Sequence, residues 1–249
     1  MDAASKKERL FILAEPRSGS SWLMETLNSH PEIRLLGEIL NQVQYPEIKA
    51  FPAGREKDFP EWLEYLEIKL NASPGRKTRY SGCKILLNQL TLIGEDFADC
   101  FLNHYRDASF IFLTRGNLVA EQISLQLAHK YDIWHVKKMN QVALKKVTLA
   151  PAVLVANLEK SLRRRETVIQ ALKNRNSSFF SLPYEDLFAD PGRALSGIFA
   201  FLGLADKKPV FSDEMKSNPF RPHEVIENYR EVRAYLERFP AFLKMLIDA

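Results

Sequence analysis

Short apolar runs alternate with amphipathic segments along most of this 249-residue chain. Five runs have the length and composition of buried strands: Leu10–Ala14, Ile33–Leu36, Tyr80–Leu86, Ser109–Thr114 and Ser178–Leu182. Helical periodicity fills eight further segments: Ser20–Ser29, Pro60–Asn71, Gly94–His104, Leu118–Tyr131, Pro151–Lys173, Pro191–Leu202, Glu224–Arg238 and Pro240–Ile247. Strands separated by helices are typical of βαβ units, so the pattern predicts an α/β fold with a central parallel sheet flanked by helices.

The chain shows no repeat, low-complexity tract or linker, which predicts one domain over residues 1–249. Two stretches rich in turn residues, Gln44–Arg55 and Asp206–Pro222, are predicted to be surface loops. Ligands of parallel sheets bind at the carboxyl ends of the strands. The loops that follow Ala14 and Thr114 are therefore expected at one edge of the sheet.

The loop after the first strand has the composition of an anion-binding element. The strand stops at Pro16, and Arg17-Ser18-Gly19-Ser20-Ser21 leads into a helix. Consecutive N–H groups, a helix N-terminus, three hydroxyls and one cation favour phosphate or sulfate. The G-x-x-x-x-G-K-[ST] pattern of nucleotide hydrolases is absent. The alternative interpretation is an ordinary strand-to-helix turn in which the serines cap the helix.

Overall charge sets further limits. The formal net charge is +4, from 35 basic and 31 acidic residues, and the sequence pI is about 8.9. This balance suits anionic ligands but lacks the excess of positive charge that nucleic-acid binding requires. Cys83 and Cys100 fit no zinc or redox spacing, and no apolar run reaches the length of a signal-peptide core or a membrane span. We therefore expect a soluble, cytoplasmic protein without membrane insertion, unless the native gene encodes an anchor outside this sequence.

Three motifs together resemble the sulfotransferases that use 3′-phosphoadenosine 5′-phosphosulfate (PAPS). Pro16–Leu23 is similar to their 5′-phosphosulfate loop, which gives the fold a P-loop-like element after the first strand. The segment Ser109–Leu125 is similar to the bacterial carbohydrate (trehalose and Nod-factor type) branch, which reads T-R-R-[DN] and then Q-x-[VI]-S-L, although Gly116 replaces the second Arg. His30-Pro31 followed by Gly37-Glu38 matches the end of the first unit in that branch.

The resemblance implies PAPS as donor and 3′-phosphoadenosine 5′-phosphate (PAP) as product, with no metal. Arg115 and Ser124 would bind the 3′-phosphate, and a late loop with Lys216 and Arg221 would cover it. The donor-binding residues predicted in this way are Arg17, Ser18, Gly19, Ser20, Ser21, Trp22, Arg115, Ser124, Lys216 and Arg221. Arg17 would also stabilise charge during transfer, and Glu38 would be the general base.

Several alternatives stay open at this point. A histidine could replace Glu38 as the base, with His223 ahead of His30, His104, His129 and His135. The chain could instead be a small-molecule kinase that uses ATP, or a catalytically silent nucleotide-binding protein. The acceptor is expected to be a hydroxyl of a carbohydrate or another small molecule. The apolar late helices suit core packing by default, with a homodimer contact as the alternative.

Overall fold

Five parallel strands form the sheet of the computed structural model, which describes residues 8–41, 59–72, 77–94, 96–134, 136, 143–213 and 220–248. The strands are β1 (Glu8–Ala14), β2 (Ile33–Leu36), β3 (Tyr80–Leu86), β4 (Ser109–Thr114) and β5 (Ser178–Pro183), in the spatial order β2-β3-β1-β4-β5. The helices are α1 (Ser20–Leu27), α2 (Phe59–Asn71), α3 (Leu87–Ile93), α4 (Phe97–His104), α5 (Leu118–Tyr131), α6 (Pro151–Asn174), α7 (Tyr184–Ala189), α8 (Pro191–Phe201), α9 (Pro222–Val225), α10 (Tyr229–Leu236) and α11 (Pro240–Ile247). The predicted α/β class and parallel sheet are confirmed.

β1 is the central strand of the sheet. It pairs with β3 on one side, with Leu10 opposite Gly82, and with β4 on the other, with Leu10 opposite Ser109. Residues 10–14 are fully buried. A strand buried on both faces reads as a continuous apolar run instead of an alternating one, which is why this strand is visible in the sequence.

All five predicted strands are confirmed to within two residues at either end, whereas the helices differ in four respects. The short helices α3 and α7 were not predicted, and α4 begins at Phe97 instead of Gly94. The predicted helix Glu224–Arg238 is interrupted, because Ile226 is extended and bridges to Val147. The backbone hydrogen bond from the Val147 N–H to the Val225 carbonyl, 2.8 Å, replaces helical bonding there. The predicted loop Gln44–Arg55 lies outside the described residues.

The described residues group into two compact units. The first comprises Met1–Glu15, Gly19–Thr114 and Arg164–Ser212 and contains the sheet; the second comprises Pro16–Ser18, Arg115–Arg163 and Asp213–Ala249. In the first unit, alternate residues of β1 enter different apolar clusters: Phe11 and Leu13 pack with residues of α2 and α4, and Leu10 and Ile12 with residues of α1 and α8. The second unit has its own core from α5, the start of α6 and the last three helices.

Candidate active site

The loop between β1 and α1 turns through two residues with left-handed backbone, Arg17 (φ 64°) and Gly19 (φ 80°). Gly19 occupies the N-cap position of α1, so the helix has no side-chain cap from that position. A Cβ on Gly19 would lie 2.8 Å from the Phe188 ring and 3.2 Å from the Tyr184 ring. Glycine is therefore required by both conformation and space. A helix N-terminus preceded by such a turn is a recognised anion-binding arrangement.

Within the first unit, a chain of hydrogen bonds runs from this loop to Glu38. The ammonium group of Lys84 donates to the Ser21 hydroxyl at 2.7 Å, and its Nζ lies 2.8 Å from Glu38 Oε1. Glu38 Oε2 accepts from the side-chain amides of Gln89 at 3.0 Å and Asn41 at 3.1 Å. Lys84 is only 4% exposed, and a buried ammonium group needs partners of this kind.

The sheet explains why Lys84 and Glu38 meet. β2 and β3 are adjacent parallel strands, with Leu36 opposite Cys83. Glu38 follows the end of β2 by two residues, and Lys84 follows Cys83 along β3. The carboxylate and the ammonium group therefore reach the same edge of the sheet from neighbouring strands, where ligands of parallel sheets bind.

Within the second unit, Arg17, Arg115 and Ser124 are in contact. The Nε of Arg17 donates to the Ser124 hydroxyl at 3.1 Å, and another nitrogen of its guanidinium donates to the Trp134 carbonyl. Arg115 donates to the carbonyl of Arg17 at 3.2 Å. Arg115 and Ser124 are each 8% exposed. The residue predicted after β4 and the one predicted two turns into α5 thus lie together with the loop arginine.

Local sequence positions Ser124. Asn117 is the N-cap of α5, and its side-chain oxygen accepts from the Ala120 N–H at 2.9 Å. The amide nitrogen of Asn117 donates to the Met245 carbonyl at 2.7 Å. A capped and tethered helix start fixes where the following turns lie. The capped start of α5 therefore fixes the position of Ser124 in space relative to Arg115.

Trp22 lies in α1 and forms part of an aromatic surface in the first unit. Its ring centroid is 5.2 Å from that of Phe188 and 5.8 Å from that of Phe211, and the planes of Trp22 and Phe211 differ by 17°. Trp22 is 8% exposed, whereas Phe211 is 49% exposed. Ser18 and Ser20, the other predicted loop donors, are buried.

Of the two cations predicted in the late loop, Arg221 lies among the described residues. Arg221 is the N-cap of α9, and its backbone N–H donates to the Glu224 carboxylate at 2.7 Å. Across the described part of the chain, no hydrogen bond joins Arg221 to Arg17, Arg115 or Ser124. Lys216 lies outside the described residues.

The histidines proposed as alternative bases have other surroundings. His30 is buried, with Nε2 3.3 Å from the Ala205 carbonyl and Nδ1 accepting from the Glu32 N–H. Three other histidine rings pack edge-on against aromatic neighbours: His104 on Tyr105, His129 on Trp134 and His223 on Tyr229. His135 lies outside the described residues. His30 is held by backbone groups at both nitrogens, which is typical of a structural role.

Two polar residues at the site were missed from the sequence. Lys84 lies inside a predicted strand and was counted only as part of its apolar run, whereas Gln89 lies in α3, which was assigned to no element. A lysine in the middle of the run Tyr80–Leu86 is nonetheless a signal, because Lys is almost never fully buried unless it is paired. The buried pair of Glu15 and Arg164, with Oε2 2.9 Å from the guanidinium, was also missed.

Clusters of metal ligands and membrane-spanning helices are both absent from the described ranges. No three or more His, Cys, Asp and Glu side chains there converge as metal ligands. None of the helices in those ranges is long and apolar enough to cross a bilayer.

Comparison with known proteins gives likenesses over most of the chain. Nodulation protein H of Rhizobium meliloti (strain 1021) is 24% identical over 233 residues, which are 92% of this chain and 91% of that protein. Nodulation protein H of Rhizobium tropici is 28% identical over 202 residues, 79% of this chain and 76% of that protein. A solved sulfotransferase from Alicyclobacillus acidocaldarius is 16% identical with a TM-score of 0.51, covering 98% of this chain and 96% of that one. No protein-family model matches. The structural likeness shows a shared fold.

Proposed function

We propose that this chain is a sulfotransferase, as its likeness to the relatives above suggests, and that it moves a sulfuryl group from PAPS to a hydroxyl of a carbohydrate or another small-molecule acceptor. The observation that carries the proposal is the contact of Glu38 with Lys84 and, through it, with Ser21 of the loop. A carboxylate joined by one cation to an anion-binding loop suits a reaction in which a hydroxyl attacks an anionic group.

The residues present fit an adenosine 3′,5′-bisphosphate group. At Gly19 the backbone is left-handed and a Cβ would meet two aromatic rings, so glycine suits this turn, as it suits the turns of phosphate-binding loops. We assign the phosphosulfate to Arg17, Ser18, Gly19, Ser20 and Ser21. Arg115 and Ser124 are assigned to the 3′-phosphate, since a guanidinium and a hydroxyl are good phosphate donors. The ring of Phe211, which is stacked on Trp22 and half exposed, offers an apolar face of the kind on which a purine stacks.

The chemistry then divides among the residues of the chain. When bound, the donor supplies the sulfuryl group and a phosphate leaving group. Glu38 removes the proton of the acceptor hydroxyl as its oxygen bonds to sulfur. Arg17 stabilises the negative charge that grows on the phosphate oxygen as the bond between sulfur and that oxygen breaks. Lys84 keeps a positive charge beside Glu38 and Ser21 throughout.

The other two candidate functions have less support. An ATP-dependent kinase needs the lysine that follows the last glycine of its loop, and Ser20 stands there instead. A silent nucleotide-binding protein would have no need of a buried lysine that pairs with Glu38, and such pairs are costly to keep. A sulfotransferase accounts both for the loop without that lysine and for the buried pair of Lys84 and Glu38.

A thermal-shift series followed by a transfer assay separates the three functions. PAP at 100 times its dissociation constant should stabilise the protein by about 2.7 kcal/mol, whereas ATP with Mg²⁺ should give no shift. Label from [³⁵S]PAPS should then appear on a sugar or phenol acceptor from a panel. A shift with ATP–Mg²⁺ alone would support the kinase. A shift with PAP but no transfer or PAPS hydrolysis would support the silent protein.

The compartment, domain organisation and partners of the protein form a second part of the proposal. We propose a cytoplasmic protein with one domain over residues 1–249, acting on a small-molecule or carbohydrate hydroxyl without nucleic-acid partners. The thiols of Cys83 and Cys100 fit a reducing compartment. A homodimer is tested by sedimentation with and without PAP.

A further inference from the structure

Gln89 is a buried amide in a helix that is otherwise apolar on its inner side. It is the third residue of α3, which follows directly on β3, and it is 7% exposed. Its buried neighbours in the helix are Leu87, Leu90 and Ile93. A buried amide among leucines must be hydrogen-bonded at both ends, because an unsatisfied amide in an apolar setting is costly.

Both ends of the Gln89 amide have a partner. Its Oε1 accepts from the Leu86 N–H at 3.0 Å, at the start of α3, and its Nε2 donates to Glu38 Oε2 at 3.0 Å. If the amide were flipped, its NH₂ would face the Leu86 N–H and its oxygen would face a carboxylate. Both contacts would then be repulsive, so the backbone fixes which end of Gln89 reaches Glu38.

The donors around Glu38 are unequally divided between its two oxygens. Oε2 receives two hydrogen bonds, from Gln89 and Asn41, and Oε1 receives one, from Lys84. A carboxylate offers about two lone-pair sites on each oxygen. Within the described residues, one site on Oε1 is therefore available to a further hydrogen, and Oε2 is fully engaged.

We infer that Gln89 is a positioning residue that holds Glu38 so that Oε1, the oxygen beside Lys84, receives the acceptor proton. This inference rests on the proposed function. Gln89 holds the carboxylate by Oε2, and the acceptor O–H transfers its proton to Oε1 while the acceptor oxygen bonds to sulfur. Lys84 is the one charged group in contact with Glu38 in the described part of the chain; Gln89 and Asn41 are neutral.

The substitution Gln89→Glu tests this with little change of shape. The new carboxylate can still accept from the Leu86 N–H, but it places a negative charge against Glu38 Oε2. Like charges in contact raise the pKa of such a pair. We expect the acidic limb of the pH profile of kcat to move to higher pH by at least one unit. The loss of turnover at neutral pH should be about tenfold at most. Affinity for PAP in calorimetry should stay within twofold of the original protein.

A matched control carries the same charge change elsewhere. Gln170 lies on the exposed side of α6 and bonds only Asn174 within its own helix, so Gln170→Glu should leave the pH profile unmoved. If Gln89→Glu melts normally and its acidic limb coincides with that of the Gln170 variant, Gln89 only caps α3 and the inference is wrong.

A measurement that needs no turnover separates this inference from the proposed function. Carboxyl ¹³C resonances of glutamate-labelled protein, with Glu38 assigned through Glu38→Gln, report the titration of Glu38 directly. A raised titration midpoint in Gln89→Glu supports the contact even if no sulfuryl transfer is found, and an unchanged midpoint contradicts it. If Gln89→Glu does not fold, Gln89→Leu should move the carboxyl resonance of Glu38 and lower kcat, while KM for PAPS stays the same. An unchanged kcat would contradict the inference.

Discussion

The loop arginine and the arginine after β4 have different surroundings, and this predicts different losses on truncation. Arg17 reaches the Ser124 hydroxyl with its side chain, while Arg115 donates to the backbone of Arg17. Arg17→Ala should raise the activation free energy of turnover by about 2–4 kcal/mol and so lower kcat, because it removes a charge that stabilises the transition state. Arg115→Ala should weaken PAP binding by about 1.5–3 kcal/mol, as expected for a charge-assisted contact. Calorimetry and steady-state kinetics measure both; unaltered PAP affinity in the Arg115 variant would refute the 3′-phosphate assignment.

The carboxylate of Glu38 predicts a pH effect of its own. Glu38→Gln keeps the size and polarity of the side chain but removes the proton acceptor, so turnover should fall by about 10²–10⁴-fold and the acidic limb should disappear. PAP affinity should hardly change. Glu61→Gln, on the exposed side of α2, is the control. An increase confined to the acceptor KM, with kcat and the acidic limb intact, would mean that Glu38 binds the acceptor without taking its proton.

At the scale of elements, Gly82 in β3 sets how closely the two central strands approach. A Cβ at that position would lie 1.6 Å from the Leu10 carbonyl oxygen of β1. Gly82→Ala should therefore lower the free energy of unfolding by about 3 kcal/mol or more, the upper end for overpacked sites. Gly192→Ala, whose Cβ would meet Asp190 at an ordinary 3.6 Å, should be neutral or slightly stabilising. Urea titration compares them, and equal stabilities would contradict the prediction.

The elements also show what could be predicted from the sequence. The strands were visible because each is a short apolar run bounded by polar or turn residues. α3 was hidden because the apolar run of β3 continues without a break from Ile85 through Leu87 into the helix. The partners of Glu38 could not be predicted, since Lys84 reaches it only because β2 and β3 are neighbours in the sheet. Motifs located the loop, Arg115 and Ser124, but only the fold shows which side chains touch.

At the scale of the whole molecule, stability should fall in acid through Glu67. Burial raises the pKa of this carboxyl, but the hydrogen bond and charge of Arg9, together with the hydrogen bond from Asn71, outweigh it, so the pKa is lowered from its ordinary 4.5. A lowered folded-state pKa stabilises the protein above the unfolded-state value, and this contribution is lost as the pH falls through the folded-state pKa. Unfolding free energy should therefore decline below about pH 4.5.

Glu67→Gln tests this contribution. The variant should be less stable at pH 7 and should lose less stability between pH 5 and pH 3 than the original protein. Urea unfolding at several pH values gives both quantities, with the exposed Glu61→Gln as the control. The same decline in acid for Glu67→Gln as for the original protein would assign the effect to other carboxyl groups.

The central position of β1 has a consequence for biosynthesis. Its buried segment 10–14 leaves the ribosome before its partners do: β3 begins at Tyr80 and β4 at Ser109. At the usual speed of translation, roughly 5–20 s separate Leu10 from Ser109. During that interval the nascent chain carries an unpaired apolar strand, the type of segment that chaperones bind and that aggregates when left uncovered. The strand that leads into the proposed binding loop is therefore also one whose protection during synthesis affects the yield of folded protein.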